Sequence, residues 1–229
     1  MTCVKSNQPL HCEQPLSDTD TKTRILDTTW ALVHRRGNAD ITMGEIADAV
    51  GISRQALYLH FPNRASLLVA TVQRFDDLHI DLAARDRRRA LPPVESLVAG
   101  LRWWLGYLPR LLPVATALEA AALVNADGAA AWRDRMQLLR GSIRFYVQRL
   151  ADAKLLADGW TVETAVDWVW ARTTPAFWSH LVADRGWKPT RLADRLIASI
   201  VAEVVRPHSG RRSARRSTAA RTPAKRKLR

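Results

Sequence analysis

Apolar residues recur at helical spacing along most of this chain, and nowhere do they alternate as a strand requires. Ile25, Leu26, Thr29, Trp30, Leu32 and Val33 form the apolar side of a helix predicted over Lys22–Arg36, with Gly37 ending it. Met43, Ile46, Ala47 and Val50 mark a short second helix. Thr42 is placed to N-cap it, Glu45 completes a capping box, and Gly51 supplies a left-handed C-cap. Ser53 caps a third helix, Arg54 to Phe61, which Pro62 stops. Two short helices joined by a tight glycine-containing turn, Thr42 to Phe61, are the geometry of a DNA-reading helix-turn-helix. Its second helix is the one that enters the major groove.

Beyond Pro62 the pattern stays helical. Leu67, Leu68, Thr71, Val72, Phe75, Leu78 and Leu82 predict a fourth helix running from Arg64 towards Arg89. Arg85–Pro93 reads as a connection, and Val94, Leu97, Val98, Leu101, Trp104, Leu105 and Leu108 trace the next helix. Pro113 is expected to open a further helix ending near Asn125. A long one follows from Asp127 through Trp132, Met136, Leu139, Ile143, Tyr146 and Leu150, with Gly159 as its break. Thr161 caps a helix that Pro175 kinks and Gly186 ends; Pro189 sits near the start of the last, which carries Leu192, Leu196, Ile200, Val201 and Val204. The expected fold is all-α: an N-terminal three-helix DNA-binding bundle with a helix-turn-helix, joined by a long helix to a C-terminal helical domain. The domain expectation is a disordered arm 1–20, a DNA-binding domain 21–75 (motif 42–61), a helical ligand-binding and dimerisation domain 76–205, and a basic disordered tail 206–229.

Charge changes the picture only once it is located. The chain of 229 residues carries a formal +13, but Arg206 to Arg229 holds ten Lys or Arg and no acid. Residues 1–205 therefore carry 25 basic against 22 acidic side chains, or +3. Such a tail either adds sequence-independent phosphate contacts or is simply a solvated terminus. The first twenty residues lack the regions of a signal peptide and no apolar run is long enough for a membrane span, so a cytoplasmic protein is expected. Cys3 and Cys12 are expected to be unpaired tail thiols. His11, His34, His60, His79, His180 and His208 lack metal-ligand spacing, and no phosphate-binding glycine loop, nucleophile elbow or paired-cysteine zinc motif is present. Neither an enzyme nor a metal or cofactor site is expected.

The run ITMGEIADAVGISRQALYLHFPNRASLL closely resembles the DNA-binding domain of the TetR family of bacterial transcriptional repressors. The likeness spans Thr21 to Phe75 and rests on Thr42, Ile46–Ala47, Gly51–Ile52–Ser53, Leu57–Tyr58, His60–Phe61 and Leu67. Two departures stand out: Arg64 occupies a position where the family often has Lys, and Ala65 one where it often has an acid. Within the reading helix, Arg54 and Gln55 lie on the first turn, where Arg suits guanine and Gln suits adenine. Tyr58 shares their face, and Ser53 with the helix start is suited to a phosphate. His60 resembles the family histidine that contacts backbone phosphate, with a structural role as its alternative. Thr42 and Arg64 are expected to flank the groove on the phosphates. Ala56, Leu57 and Phe61 are assigned to the core.

Asp167–Val205 resembles a C-terminal region of many TetR-type regulators. The resemblance implies a homodimer paired through the last two helices, a palindromic operator in double-stranded DNA, and a small-molecule effector. Nine tryptophans are many for this length. Trp103, Trp104, Trp132, Phe145, Tyr146, Trp168, Trp170, Phe177 and Trp178 either line an apolar ligand cavity or fill core and interface. With few charges among them, the expected effector is hydrophobic or aromatic. The function expected is a ligand-released repressor; the rival is a nucleoid-type protein binding DNA non-specifically through its tail.

Overall fold

Helix follows helix from Asp18 to Val204 in the computed structural model, which describes residues 18–37, 41–124 and 126–207. Cys3, Cys12, most of the N-terminal arm and nearly all of the basic tail lie outside the described residues. Among the described residues the only extended pairing is an isolated bridge between Leu156 and Val205, so the all-α expectation holds. No helix among them is long and apolar enough to cross a membrane.

The first four helices are α1 (Asp18–Arg36), α2 (Met43–Val50), α3 (Arg54–His60) and α4 (Arg64–His79). Helix α1 buries Ile25, Leu26, Thr29 and Val33. Thr29 is fully buried yet satisfied, because its hydroxyl donates to the Ile25 carbonyl at 2.8 Å. Helix α4 begins at a capping box in which Asn63 Oδ1 accepts from Ser66 N–H at 2.8 Å. Ala65, at the position where the family often has an acid, is buried, and the capping is done by its neighbours.

Helix α4 stops at His79, ten residues short of the expected run towards Arg89. The apolar stripe that suggested continuation is not buried past Phe75: Leu78 and Leu82 are 61% and 57% exposed. With no packed face beyond that point, the backbone leaves the helix at Ile80 and starts again as α5 (Leu82–Ala90). The expected connection Arg85–Pro93 is therefore mostly helix, and the break falls at Leu91–Pro92, where a following proline disfavours helical dihedrals.

Helix α6 (Pro93–Ala122) also departs from expectation: Pro113 does not open a new helix but lies inside a continuous one, as does Pro109. Each interior proline costs about 3 kcal/mol. An unbroken buried stripe offsets that cost, through Leu97, Leu101, Leu105, Leu108, Leu111, Val114, Leu118 and Ala121. Helix α7 (Ala126–Asp152) ends before the expected break at Gly159. Lys154 adopts a left-handed φ of 57° and the Leu155 N–H reaches back to the Leu150 carbonyl, a Schellman-type stop without glycine. Pro175 does not kink one helix but starts a second: α8 (Val162–Arg172) ends, Thr174 caps, and α9 (Pro175–Val182) begins. Helix α10 (Pro189–Val204) closes the order.

By contacts the chain divides into two compact units. Among the described residues, one comprises those up to Leu82 together with Tyr107–Leu138; the other comprises Ala83–Gly106 together with those from Leu139 on. The first unit thus takes in stretches of α6 and α7 beside the helix-turn-helix. Within it Tyr107 Oη donates to Asp76 Oδ1 at 2.6 Å and Arg135 bonds Asp76 Oδ2 at 2.9 Å. Burial, reinforced by that bond to Asp76, pushes the Tyr107 hydroxyl well above its ordinary range.

Candidate nucleic-acid interface

Local chemistry fixes the helix-turn-helix tightly. Gly51 takes φ 77°, and its N–H bonds the Ala47 and Asp48 carbonyls, so α2 ends and the chain turns without steric cost. Helix α3 has one anchored side: Leu57 is fully buried and Phe61 is 4% exposed, as expected for core positions. On its other side Arg54, Gln55 and Tyr58 are exposed together, Tyr58 at 49%. His60 and Arg64 are half-buried, while Thr42 and Ser53 are exposed at the starts of α2 and α3.

The two caps are not equivalent. Ser53 Oγ accepts from Ala56 N–H at 3.1 Å, which leaves its own hydrogen to donate. Thr42 Oγ1 accepts from Glu45 N–H at 3.2 Å and also donates to Glu45 Oε2 at 2.9 Å. A phosphate taking the Thr42 proton has to displace Glu45 from it. Glu45 is itself well held: it accepts from the Thr42 N–H at 2.8 Å and pairs with Arg36 at 2.6 Å, which joins the end of α1 to the start of α2. The Thr42 backbone bond, with Arg36 second, lowers its carboxyl from 4.5 to about 2. A depressed carboxylate contributes stability that is full above its ordinary value and is lost as pH falls through the folded one. Acid unfolding between about pH 5 and pH 2 is therefore expected to be steeper in the native chain than in Glu45→Gln, measured by helicity against pH.

Two features of the surface were not apparent from sequence. Leu59 is 84% exposed between Tyr58 and His60, an apolar side chain of the size that meets a thymine methyl or a sugar. Gly44 is the other. Its α-carbon lies under the Arg54 guanidinium, and a Cβ added there would sit 2.8 Å from Arg54 Cζ. Glycine at this position thus lets Arg54 lie back on α2. The sequence signal was present, since a glycine in the first turn of a short helix is otherwise unfavourable. Lys22 Nζ, 5.8 Å above the Phe61 ring, adds positive charge beside the end of α3.

The nine residues considered for a ligand cavity are dispersed. Trp132 belongs to the first unit, the other eight to the second. Trp178 is a core residue at 2% exposure, and Trp104 Nε1 donates to the Thr173 carbonyl at 2.8 Å. Trp103, Phe145, Tyr146, Trp170 and Phe177 are half-buried. Trp168, at 41% exposure, stacks on Arg172 and donates to Glu203 at 2.6 Å.

The family model described as bacterial regulatory proteins, tetR family, matches residues 25–71, which contain this entire motif. The HTH-type transcriptional regulator TtgR of Pseudomonas putida is 33% identical over 64 residues, 28% of this chain and 30% of TtgR. The HTH-type transcriptional repressor KstR of Rhodococcus jostii is 26% identical over 182 residues, 77% of this chain and 79% of KstR. Among solved structures, the SmeT–triclosan complex superposes with a TM-score of 0.62 at 18% identity, over 81% of this chain and 92% of SmeT, a repressor of Stenotrophomonas maltophilia. That last likeness is one of fold. The helix-turn-helix of this chain, within residues 25–71, is thus of the type found in the tetR family of bacterial regulatory proteins.

Proposed function

We propose that the protein is a sequence-specific transcriptional regulator, a homodimeric repressor released from a palindromic operator by a small ligand. The observation that carries the reading is the two-sidedness of α3, with Leu57 and Phe61 locked inward while Arg54, Gln55 and Tyr58 stand exposed together. A reading helix needs that division, because base contacts specify only when the helix is rigidly held. Two such heads reading half-sites one DNA turn apart require a two-fold connection, for which residues 76–205 are the candidate region. Light scattering at micromolar concentration tests the dimer, and a monomer there sinks it.

Roles within the interface separate by experiment. Gln55→Ala is expected to lose about 1–3 kcal/mol of discrimination at one operator position and little elsewhere. Arg64→Ala is expected to weaken all sequences alike and to reduce the salt slope by about one. Selection of binding sites from random DNA, followed by titrations at several salt concentrations, measures both. If no palindromic site survives competition by random DNA, binding is non-specific and the regulator reading fails.

A further inference from the structure

The second unit shows charge where the sequence suggested none. Arg88 Cζ lies 4.9 Å from the Trp103 ring centroid and Arg89 Cζ 4.5 Å from that of Phe145. Arg149 approaches the same Phe145 ring at 5.8 Å, but its guanidinium is committed. It donates to the carbonyls of Arg89 and Leu91, the latter at 2.9 Å, and so holds the end of α5 in place. Tyr146 meets Phe145 edge-on at 5.2 Å and presses on α6 at Gly100, where a Cβ would stand 2.7 Å from Tyr146 Cε2.

Arg88 and Arg89 are different from Arg149. The Nε of each is buried and has no hydrogen-bond partner, and neither guanidinium pairs with a carboxylate among the described residues. Both side chains are only partly buried as a whole; it is the Nε–H of each that is shut away without an acceptor. Stacking on Trp103 and Phe145 attracts the cations but accepts nothing from the N–H groups. Two neighbouring cations, each short of an acceptor and seated on aromatic rings, lack one component: an anion with an apolar body.

We propose that Arg88 and Arg89, with Trp103 and Phe145, form the anion-recognising end of the effector site, which takes a small organic carboxylate carrying an aromatic or aliphatic body. The guanidinium fork matches a carboxylate, and the rings pack against the rest of the molecule. This rests on the ligand-responsive reading and narrows the hydrophobic or aromatic effector expected from sequence to one that also carries a carboxylate.

The test is calorimetric titration of the full chain with phenylbutyrate and decanoate, each beside its uncharged amide. The acids are expected to bind at least about tenfold more tightly than their amides. Arg88→Gln and Arg89→Gln are each expected to weaken the acids by about tenfold or more and leave the amides unchanged. Without ligand, the thermal midpoint of both variants is expected to stay level or rise, since a buried Nε–H with no acceptor has been removed. Equal binding of acid and amide, no binding of either acid, undiminished acid binding in both variants, or a lowered thermal midpoint overturns the proposal. An acid that binds but leaves the operator complex intact contradicts ligand-responsive repression and spares the anion site. A neutral compound that releases the operator while both acids are silent does the reverse.

Discussion

Leu57→Ala is expected to destabilise the reading head by about 2–5 kcal/mol and to abolish operator binding. Leu57 is fully buried, and α3, at seven residues, is too short to persist without tertiary packing. Removing its anchor leaves a cavity and frees the helix that presents Arg54, Gln55 and Tyr58. Leu59→Ala is the matched control, two residues along and 84% exposed, and is expected to shift stability by no more than about 0.5 kcal/mol. Thermal unfolding of both variants and operator titration of Leu57→Ala check the pair. Similar losses of stability in the two would mean that α3 is not held as described.

Asp76→Ala carries the second large effect. Asp76 accepts from the Tyr107 hydroxyl and from Arg135, with side-chain exposures of 19% for Asp76 and 21% for Arg135. Deleting the carboxylate removes an acceptor from a buried phenol and the counter-charge from a partly buried cation together. The expected cost is about 2–4 kcal/mol, less than for a fully buried ion pair because water still reaches Arg135. Asp76→Asn, which keeps an acceptor for Tyr107 and loses the charge, is expected to fall between. Combining Asp76→Ala with Tyr107→Phe tests the account by coupling: the double variant is expected to cost less than the sum of the singles. Strict additivity would show that the two groups do not depend on each other.

The helix-turn-helix was legible because its determinants are local. Thr42, Glu45, Gly51 and Ser53 act within four residues of themselves, and each does in the structure what its type and spacing dictate. Later helices were less legible where packing overrides local chemistry. Pro109 and Pro113 say stop, yet a buried stripe carries α6 through both; Leu78 and Leu82 say continue, yet nothing covers them and α4 ends. Lys154 ends α7 in a conformation that glycine usually supplies. The same limit hid the arginines. Arg88 and Arg89 read as a polar connector because their partners Trp103 and Phe145 lie 15 and 56 residues away in the chain. Gly44 was visible as an oddity, but only the position of Arg54 explains it.

The prolines of α6 have a mechanical consequence. A helix resists bending through its ladder of hydrogen bonds, and proline deletes the rung it would have donated to the residue four before it. Pro109 and Pro113 are four apart, so the deleted rungs stack along one side of the cylinder. The remaining sides keep theirs. Stiffness in this helix is therefore directional: it yields most easily in the plane containing the two prolines and stays rigid across it. A bending load anywhere along its thirty residues concentrates at Leu105–Pro113, and the curvature it produces has a preset axis.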